Sequence, residues 1–293
     1  MRDNEPAYAV VPYGRWPTWG IAKMPLDDLV WPLGRPERLQ QGTVADMGPD
    51  DHLITFPRKP MFYLPWVGVR AKVSVMIVEP DAVHAHHLNS ARRLRWRFQN
   101  ILTKNRALLD AAPNAMHLVF GFTFIEDVDG VVVDKTQMTS LIASAKRDHD
   151  GHKLRHKIVD HVRNKGLDVA VMGRGYNPFK RKQDGLAPYR YSVVIENTRE
   201  SDYFTEKIVD AALCETVPIY WGCPNIGDYF DPAGLIICET EADIQRALGM
   251  VSVQDYDQRR DAVLENATRA RFYADYLRRA ALTVQAGASC SYG

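Results

Sequence analysis

Three segments in the second half restrict the fold of this chain more than any other feature. They read YRYSVVIEN, TEKIVDAALC and VPIYWG, in that order, within residues 189–222. The first and last are short runs rich in β-branched and aromatic residues, the pattern of buried strands. The middle one sets Ile208, Val209, Ala212 and Leu213 on one stripe of a helix. A strand, a helix and a second strand in that order are the sequence form of a βαβ unit, in which a parallel sheet is covered by helices.

The same alternation runs through the rest of the chain. In the first part, YAVVPYG, HLITFP, VSVMIVEP, FQNILT and MHLVFG read as strands, and KNRALLDAAPN as a short helix closed before Pro113. The acidic, turn-like EDVDGVVVD (Glu126–Asp134) then separates a second set. MTSLIASAK and LDVAVMG read as strands. DGHKLRHKIVDHVRNKG reads as an amphipathic helix stopped at Gly166. RGYNPFKRKQDGLAP is a basic loop, and GLIICE a further strand. EADIQRALGM and one long helix over roughly 252–285 complete the set, before a small, polar tail, AGASCSYG, expected to fray. With 293 residues the chain exceeds one usual core, so two domains are expected, 1–125 and 126–293, the second carrying the terminal helix. The expected fold class is α/β: two Rossmann-like, doubly wound domains whose strand C-termini open on a shared cleft.

Composition sets aside several classes of function. The hydrophobic fraction is 46%, the charged fraction 25% and the net charge +1, so any anion site must be local. ARRLRWR (Ala91–Arg97) mixes arginines with Trp96, but the near-neutral charge and the lack of a nucleic-acid motif argue against nucleic acid. A milder role for it, touching an anionic glycan or lipid, stays open. Cys214, Cys223, Cys238 and Cys290 show no C-x-x-C spacing, which suggests reduced thiols and a cytoplasmic setting. MRDNEPAYAVVPYG lacks the apolar run of a signal peptide, and no run approaches the ~18 residues of a membrane span. A soluble protein is expected, with peripheral contact at the inner face of a membrane left open. The histidines of HAHH (His84, His86, His87) have no carboxylate or cysteine at a convincing ligand spacing, so no metal site is expected. His152 and His156 share a helix face and are expected on an exposed basic surface.

One stretch stands apart. IENTRESDYFTEK (Ile195–Lys207) crowds polar groups at a strand end and a helix start. Thr205 or Asp202 suits the N-cap. The helix start offers free amides and a positive dipole end, a natural phosphate site. Lys207 sits in the first turn, where a cation is unfavourable unless an anion binds beside it. Glu206 suits the dipole or the hydroxyls of a sugar, and Asn197 supplies a donor and an acceptor.

This stretch, with YRYSVVIEN before it and VPIYWGCPNIGDYFDP after it, resembles the α-1,3/4-fucosyltransferases of the GT10 family. The matching pieces are Glu196-Asn197-Thr198, Tyr203-Phe204-Thr205-Glu206-Lys207 and Val217-Pro218-Ile219-Tyr220-Trp221-Gly222, with Ile195 where the family usually carries Phe. Upstream the likeness continues through MTSLIASAK to GYN. It sets Ser144 and Arg155 on donor-binding positions and Tyr176 near the nucleotide base. The first half matches poorly, although Glu79, at the end of VMIVEP, resembles the family's catalytic glutamate facing the acceptor.

The resemblance implies a GT-B fold, GDP-fucose bound by the C-terminal half, a glycan acceptor at the N-terminal half and a single inverting displacement. Glu79 would be the base. Arg155 and Lys207 would take the diphosphate, Glu206 would face the charge developing on the sugar, and Asn197 and Tyr203 would hold sugar or phosphates. No tightly bound cofactor and no obligatory metal are implied. FKRK (Phe179–Lys182) stands either near the phosphates or in solvent. Another GDP-sugar such as GDP-mannose, or nucleotide-sugar binding without transfer, are the competing readings.

Overall fold

The computed structural model describes residues 5–15 and 20–290, and the chain divides into two compact units. The first runs to Val119 and takes back the segment from Tyr276 onward; the second is Phe120–Asp275.

In the first unit five short strands pair in parallel among the described residues. They are β1 (Tyr8–Val10), β2 (His52–Thr55), β3 (Lys72–Ile77), β4 (Ile101–Thr103) and β5 (Ala115–His117), in the spatial order β1-β2-β3-β4-β5. Between them stand α1 (Lys59–Tyr63), α2 (Asp81–Arg93) and α3 (Arg106–Ala111). From the sequence no helix is expected at the first two. HAHH lies within α2, whose Asp81 in the first turn and Arg92 and Arg93 in the last complement the helix dipole. The Asn105 side chain caps α3 by accepting from the Leu108 amide at 2.8 Å. Val73, Val75 and Ile77 of β3 are buried with Phe62, Phe98, Ile101 and Leu108.

The second unit has its own parallel sheet. Its elements are β6 (Gln137–Ile142), α4 (Asp150–Lys165), β7 (Ala170–Met172), β8 (Tyr189–Ile195), α5 (Glu206–Leu213), β9 (Val217–Trp221), β10 (Ile236–Ile237) and α6 (Glu241–Leu248). Gly166 closes α4 in the left-handed conformation, at φ 61°. The strand order is β10-β9-β8-β6-β7. The chain therefore steps from β6 outward to β7 and then back past β6 to β8. That reversal opens a crevice beyond the strand C-termini, where doubly wound sheets bind ligands. The first sheet, by contrast, reverses nowhere.

Helices α7 (Val253–Gln258), α8 (Arg260–Ala274) and α9 (Tyr276–Cys290) replace the single helix expected over 252–285. Asp275, at φ −104° and ψ 83°, leaves helical geometry and breaks the run. Beyond it α9 packs beside β1 in the first unit and buries Ala280, Ala281 and Val284 completely. Of the tail AGASCSYG, the part to Cys290 continues α9, and 291–293 lie outside the described residues. The first four residues of the N-terminal stretch lie outside them too. The units part at 119/120 rather than 125/126. Gly121 packs tightly on Phe204 and Tyr273, and Thr123 and Phe124 both donate to Asp210, so this linker is held by the second unit. Among the described residues no helix is long and apolar enough to cross a membrane. Cys214, Cys223 and Cys238 are buried free thiols.

Candidate functional site

A cavity of about 510 Å³ stands at the reversal between β6 and β8. Ile142, Ala143 and Ser144 from the end of β6 line it, with Gly173 from the end of β7 and Ser192–Ile195 from β8. Gly173 has φ 115°, and a Cβ there would lie 2.1 Å from the Ala143 carbonyl oxygen, so only glycine lets these two strand ends meet. The charged lining is one-sided. Among the described residues, Lys146, Arg155, Arg174, Lys182 and Lys207 face a single carboxylate, Glu206. In a chain of net charge +1, that is a local site for a polyanion.

Arg155 is buried on α4 and tied to the end of β8. Its Nε and Nη2 donate to the Ile195 carbonyl at 3.0 and 2.7 Å, and Nη2 also reaches Asn197 Oδ1 at 2.9 Å. Two of its three nitrogens are thus used within the protein. Nη1 has no hydrogen-bond partner among the described residues and is left for a ligand. The Asn197 amide is oriented by the same contact: its oxygen takes the guanidinium proton, so its Nδ2 stays a donor. Burial lowers the Arg155 pKa, and the charges of Glu196 and Glu206 oppose the shift; the guanidinium stays charged. These contacts require α4 to start almost on top of the strand end. Gly151 makes that possible: a Cβ there would sit 1.7 Å from the Glu196 carbonyl oxygen.

The first turn of α5 is built on Glu196, which is fully buried. Its two oxygens accept from the Thr205 amide at 2.9 Å and the Thr205 hydroxyl at 2.7 Å. Thr205 is the N-cap of α5. Asp202, the other capping candidate, instead takes positive φ (60°) and accepts from Asn225 and Tyr229. Lys207 Nζ lies against Thr205 Oγ1 at 2.9 Å, Glu206 Oε1 at 3.1 Å and Glu196 Oε2 at 3.4 Å. Burial acts to lower the Lys207 pKa, but Glu196 and Glu206 outweigh it and the net shift is upward. Burial likewise acts to raise Glu206, and Lys207 and Lys182 outweigh it, holding the carboxylate below its ordinary range. The cation at the helix start is therefore a fixed charge braced by two carboxylates.

One turn further along α5, Asp210 is fully buried. Its Oδ1 accepts from the Thr123 hydroxyl and the Phe124 amide, whereas Oδ2 has no hydrogen bond and lies 4.0 Å from Lys182 Nζ. Burial pushes its pKa up to about 7. An acid with a raised folded-state pKa binds its proton more tightly in the fold. Its contribution favours the fold at low pH and is lost as pH rises from the unfolded value of about 3.9 through about 7. Asp210→Asn keeps an Oδ1 acceptor and removes the titration. In denaturant melts at pH 5 and pH 8, the variant is expected to gain stability relative to the parent at the higher pH, by a few kcal/mol. An unchanged difference between the two pH values contradicts the raised pKa.

The structure gathers Ser144, Arg155, Asn197, Glu206 and Lys207 around the cavity. Tyr203 and Tyr176 are not on its lining. Tyr203 is 1% exposed. The Tyr176 hydroxyl meets His156 Nδ1 at 2.6 Å, and its ring lies under the Arg163 guanidinium. Glu79 belongs to the first unit, half-buried just beyond β3. His152 and His156 are buried rather than exposed, because α4 turns this face inward. His152 lines the cavity, and burial together with neighbouring Arg155 lowers its pKa to about 4, so it is neutral at physiological pH. From FKRK, Phe179 and Lys182 reach the cavity. Glu196, Gly151, Lys146, Arg174 and Asp210 are absent from the sequence-based site. Gly151 carried a signal, since a glycine in the first turn of an otherwise good helix costs stability unless something needs the space. Among the described residues no group of three or more His, Cys, Asp or Glu is arranged to hold a metal ion.

Residues 132–239 match the family model described as glycosyltransferase family 10 (fucosyltransferase), C-terminal. The match covers little more than a third of the chain, and over that stretch the chain is similar to the family 10 glycosyltransferases. An α-(1,3)-fucosyltransferase FucT of Helicobacter pylori is 42% identical over 62 residues, 21% of this chain and 13% of that protein. A putative fucosyltransferase-like protein of Arabidopsis thaliana is 40% identical over 48 residues, 16% of this chain and 9% of that protein. The chain thus matches only a small part of the length of these relatives. The crystal structure of an α,α-trehalose-phosphate synthase (UDP-forming) from Burkholderia xenovorans aligns over 82% of this chain and 75% of that one, at 11% identity and a TM-score of 0.55. That likeness shows the fold, an α/β GT-B fold with two parallel sheets. A crystal structure of an α1,3-fucosyltransferase with GDP-fucose aligns over 75% of this chain and 71% of that one, at 18% identity and a TM-score of 0.47. The matched segment contains β6 to β10 and every lining residue of the cavity except Phe124.

Proposed function

We propose that this chain transfers fucose from GDP-fucose to a hydroxyl of a glycan acceptor, in one step with inversion at the anomeric carbon. One coincidence carries the reading. Every charged residue of the cavity, from Lys146 to Lys207, falls inside the segment that matches the fucosyltransferase family.

In this reading the diphosphate lies between Arg155 Nη1 and Lys207 Nζ, near the first turn of α5. As the bond from the anomeric carbon to the diphosphate breaks, negative charge grows on the leaving oxygen. Fixed cations that need no reorganisation stabilise it best. Lys207 meets that requirement because Glu196 and Glu206 hold it in place and keep it protonated. Glu206, kept ionised by Lys207 and Lys182, faces the positive charge developing on the sugar. The acceptor hydroxyl gives its proton to Glu79, and its oxygen forms the new bond.

The test incubates the chain with GDP-fucose or GDP-mannose and a panel of glycans, following GDP release and the anomeric configuration of the product. Acceptor-dependent turnover with GDP-fucose and an inverted product are expected. Turnover with GDP-mannose alone overturns the donor, and a retained configuration overturns the single displacement. Tight GDP binding without turnover on any acceptor favours a binding protein. Glu79→Ala is expected to lower turnover by about 10²-fold or more, the usual range for a lost general base, while GDP affinity holds. Unchanged turnover places the base elsewhere.

A further inference from the structure

The first unit carries an exposed face that the donor cavity does not explain. Between residues 52 and 109 the chain has ten Lys and Arg and only two acidic residues, Glu79 and Asp81. In a protein of net charge +1 this is a strong local excess.

The fold draws part of that charge around an apolar cluster. The turn after α1 and the turn after α2 are tied together. The Arg97 guanidinium donates to the Leu64 carbonyl, the Tyr63 hydroxyl meets Ser90 Oγ at 3.1 Å, and Trp66 packs edge-on against Phe98. The inward side of this joint fills the core with Phe62, Phe98 and Trp66. Its outward side leaves Val67 77%, Trp96 73%, and Tyr63 and Leu64 60% exposed. Arg93 and Arg95 flank them, exposed, and among the described residues neither takes part in an ion pair.

Four large apolar side chains on one surface call for a covering partner, and unpaired arginines beside them call for an anionic one. Nucleic acid would use the cations and Trp96 but has no use for exposed Leu64 and Val67. A bilayer bearing anionic headgroups uses all of them. Arginines meet phosphates, tryptophan and tyrosine settle at the interface, and the aliphatic chains reach the acyl boundary. We propose that this face of the first unit, centred on Trp96 and Val67 with Arg93 and Arg95 at its rim, docks the chain on the surface of an anionic phospholipid bilayer. The inference is independent of the donor reading.

The test is co-sedimentation of the full chain with vesicles of phosphatidylcholine alone and with phosphatidylglycerol added. Binding is expected on the anionic vesicles only, weakened by high salt. Arg93→Gln with Arg95→Gln should lose roughly fivefold per charge. Val67→Ser with Trp96→Ser should lower affinity on the same vesicles and leave the salt dependence in place. Both variants should keep the parental melting temperature, since the altered side chains face solvent. Equal binding to neutral and anionic vesicles overturns the proposal, as does no binding to either, or anionic binding indifferent to both pairs of changes. Arginine-dependent binding to a single-stranded oligonucleotide with none to vesicles overturns it in favour of nucleic acid.

Discussion

Lys207→Ala is expected to weaken GDP binding by about 100-fold or more and to destabilise the fold by ~3 kcal/mol. The two losses have different origins. Stability falls because Glu196, fully buried, is left with an uncompensated charge. Affinity falls because the diphosphate loses a fixed cation. A second substitution separates them. Glu196→Gln removes the stranded charge, so the double variant should regain part of the stability in a denaturant melt and still bind GDP weakly by calorimetry. Recovery of GDP affinity in the double variant would mean that Lys207 serves Glu196 and not the ligand.

Gly151→Ala is expected to have the second large effect, through backbone geometry alone. The new Cβ would stand 1.7 Å from the Glu196 carbonyl oxygen and 3.0 Å from the Asn197 carbonyl oxygen. Neither is the end of a flexible side chain, so the start of α4 must move off the end of β8. The Gly151 amide then loses its 3.1 Å bond to the Asn197 carbonyl, and Arg155, one turn on, loses its hold on Ile195 and Asn197. A cost of ~3 kcal/mol, about 5–10 °C in melting temperature, is expected. GDP affinity should fall in the same variant although the substituted residue touches no ligand. A melting temperature and GDP affinity equal to the parent's would show that α4 does not need this close approach.

How much of this was legible in the sequence depends on which interaction carried it. The strands and α3 to α6 were legible because their apolar periodicity and end residues agree, as at Gly166, where the helix stops in the left-handed conformation. The reversal of strand order between β6 and β8 was not, since no local pattern records which strand pairs with which. The break at Asp275 and the return of α9 to the first unit escaped for a related reason. Both depend on long-range packing of a helix whose apolar stripe continues across the break. Within the site, the strand-end and helix-start residues Asn197, Glu206 and Lys207 were legible from polarity and spacing. Glu196 was passed over beside Asn197, although its burial under Thr205 and Lys207 is what fixes the site. Tyr203 stands in the same motif yet is buried away from the cavity lining, because a fixed spacing records packing as well as ligand contact. His152 and His156 were misplaced because the basic character of their helix suggested a wet face, while the helix presents that side to the core.

The central claim is that the cavity between β6 and β8 receives the diphosphate of GDP-fucose. A crystal structure of the chain with GDP-fucose tests it most directly. The diphosphate is expected within hydrogen-bond distance of Arg155 Nη1 and Lys207 Nζ, with the fucose ring beside Glu206. A nucleotide bound elsewhere, or a diphosphate that touches neither Arg155 nor Lys207, would contradict it.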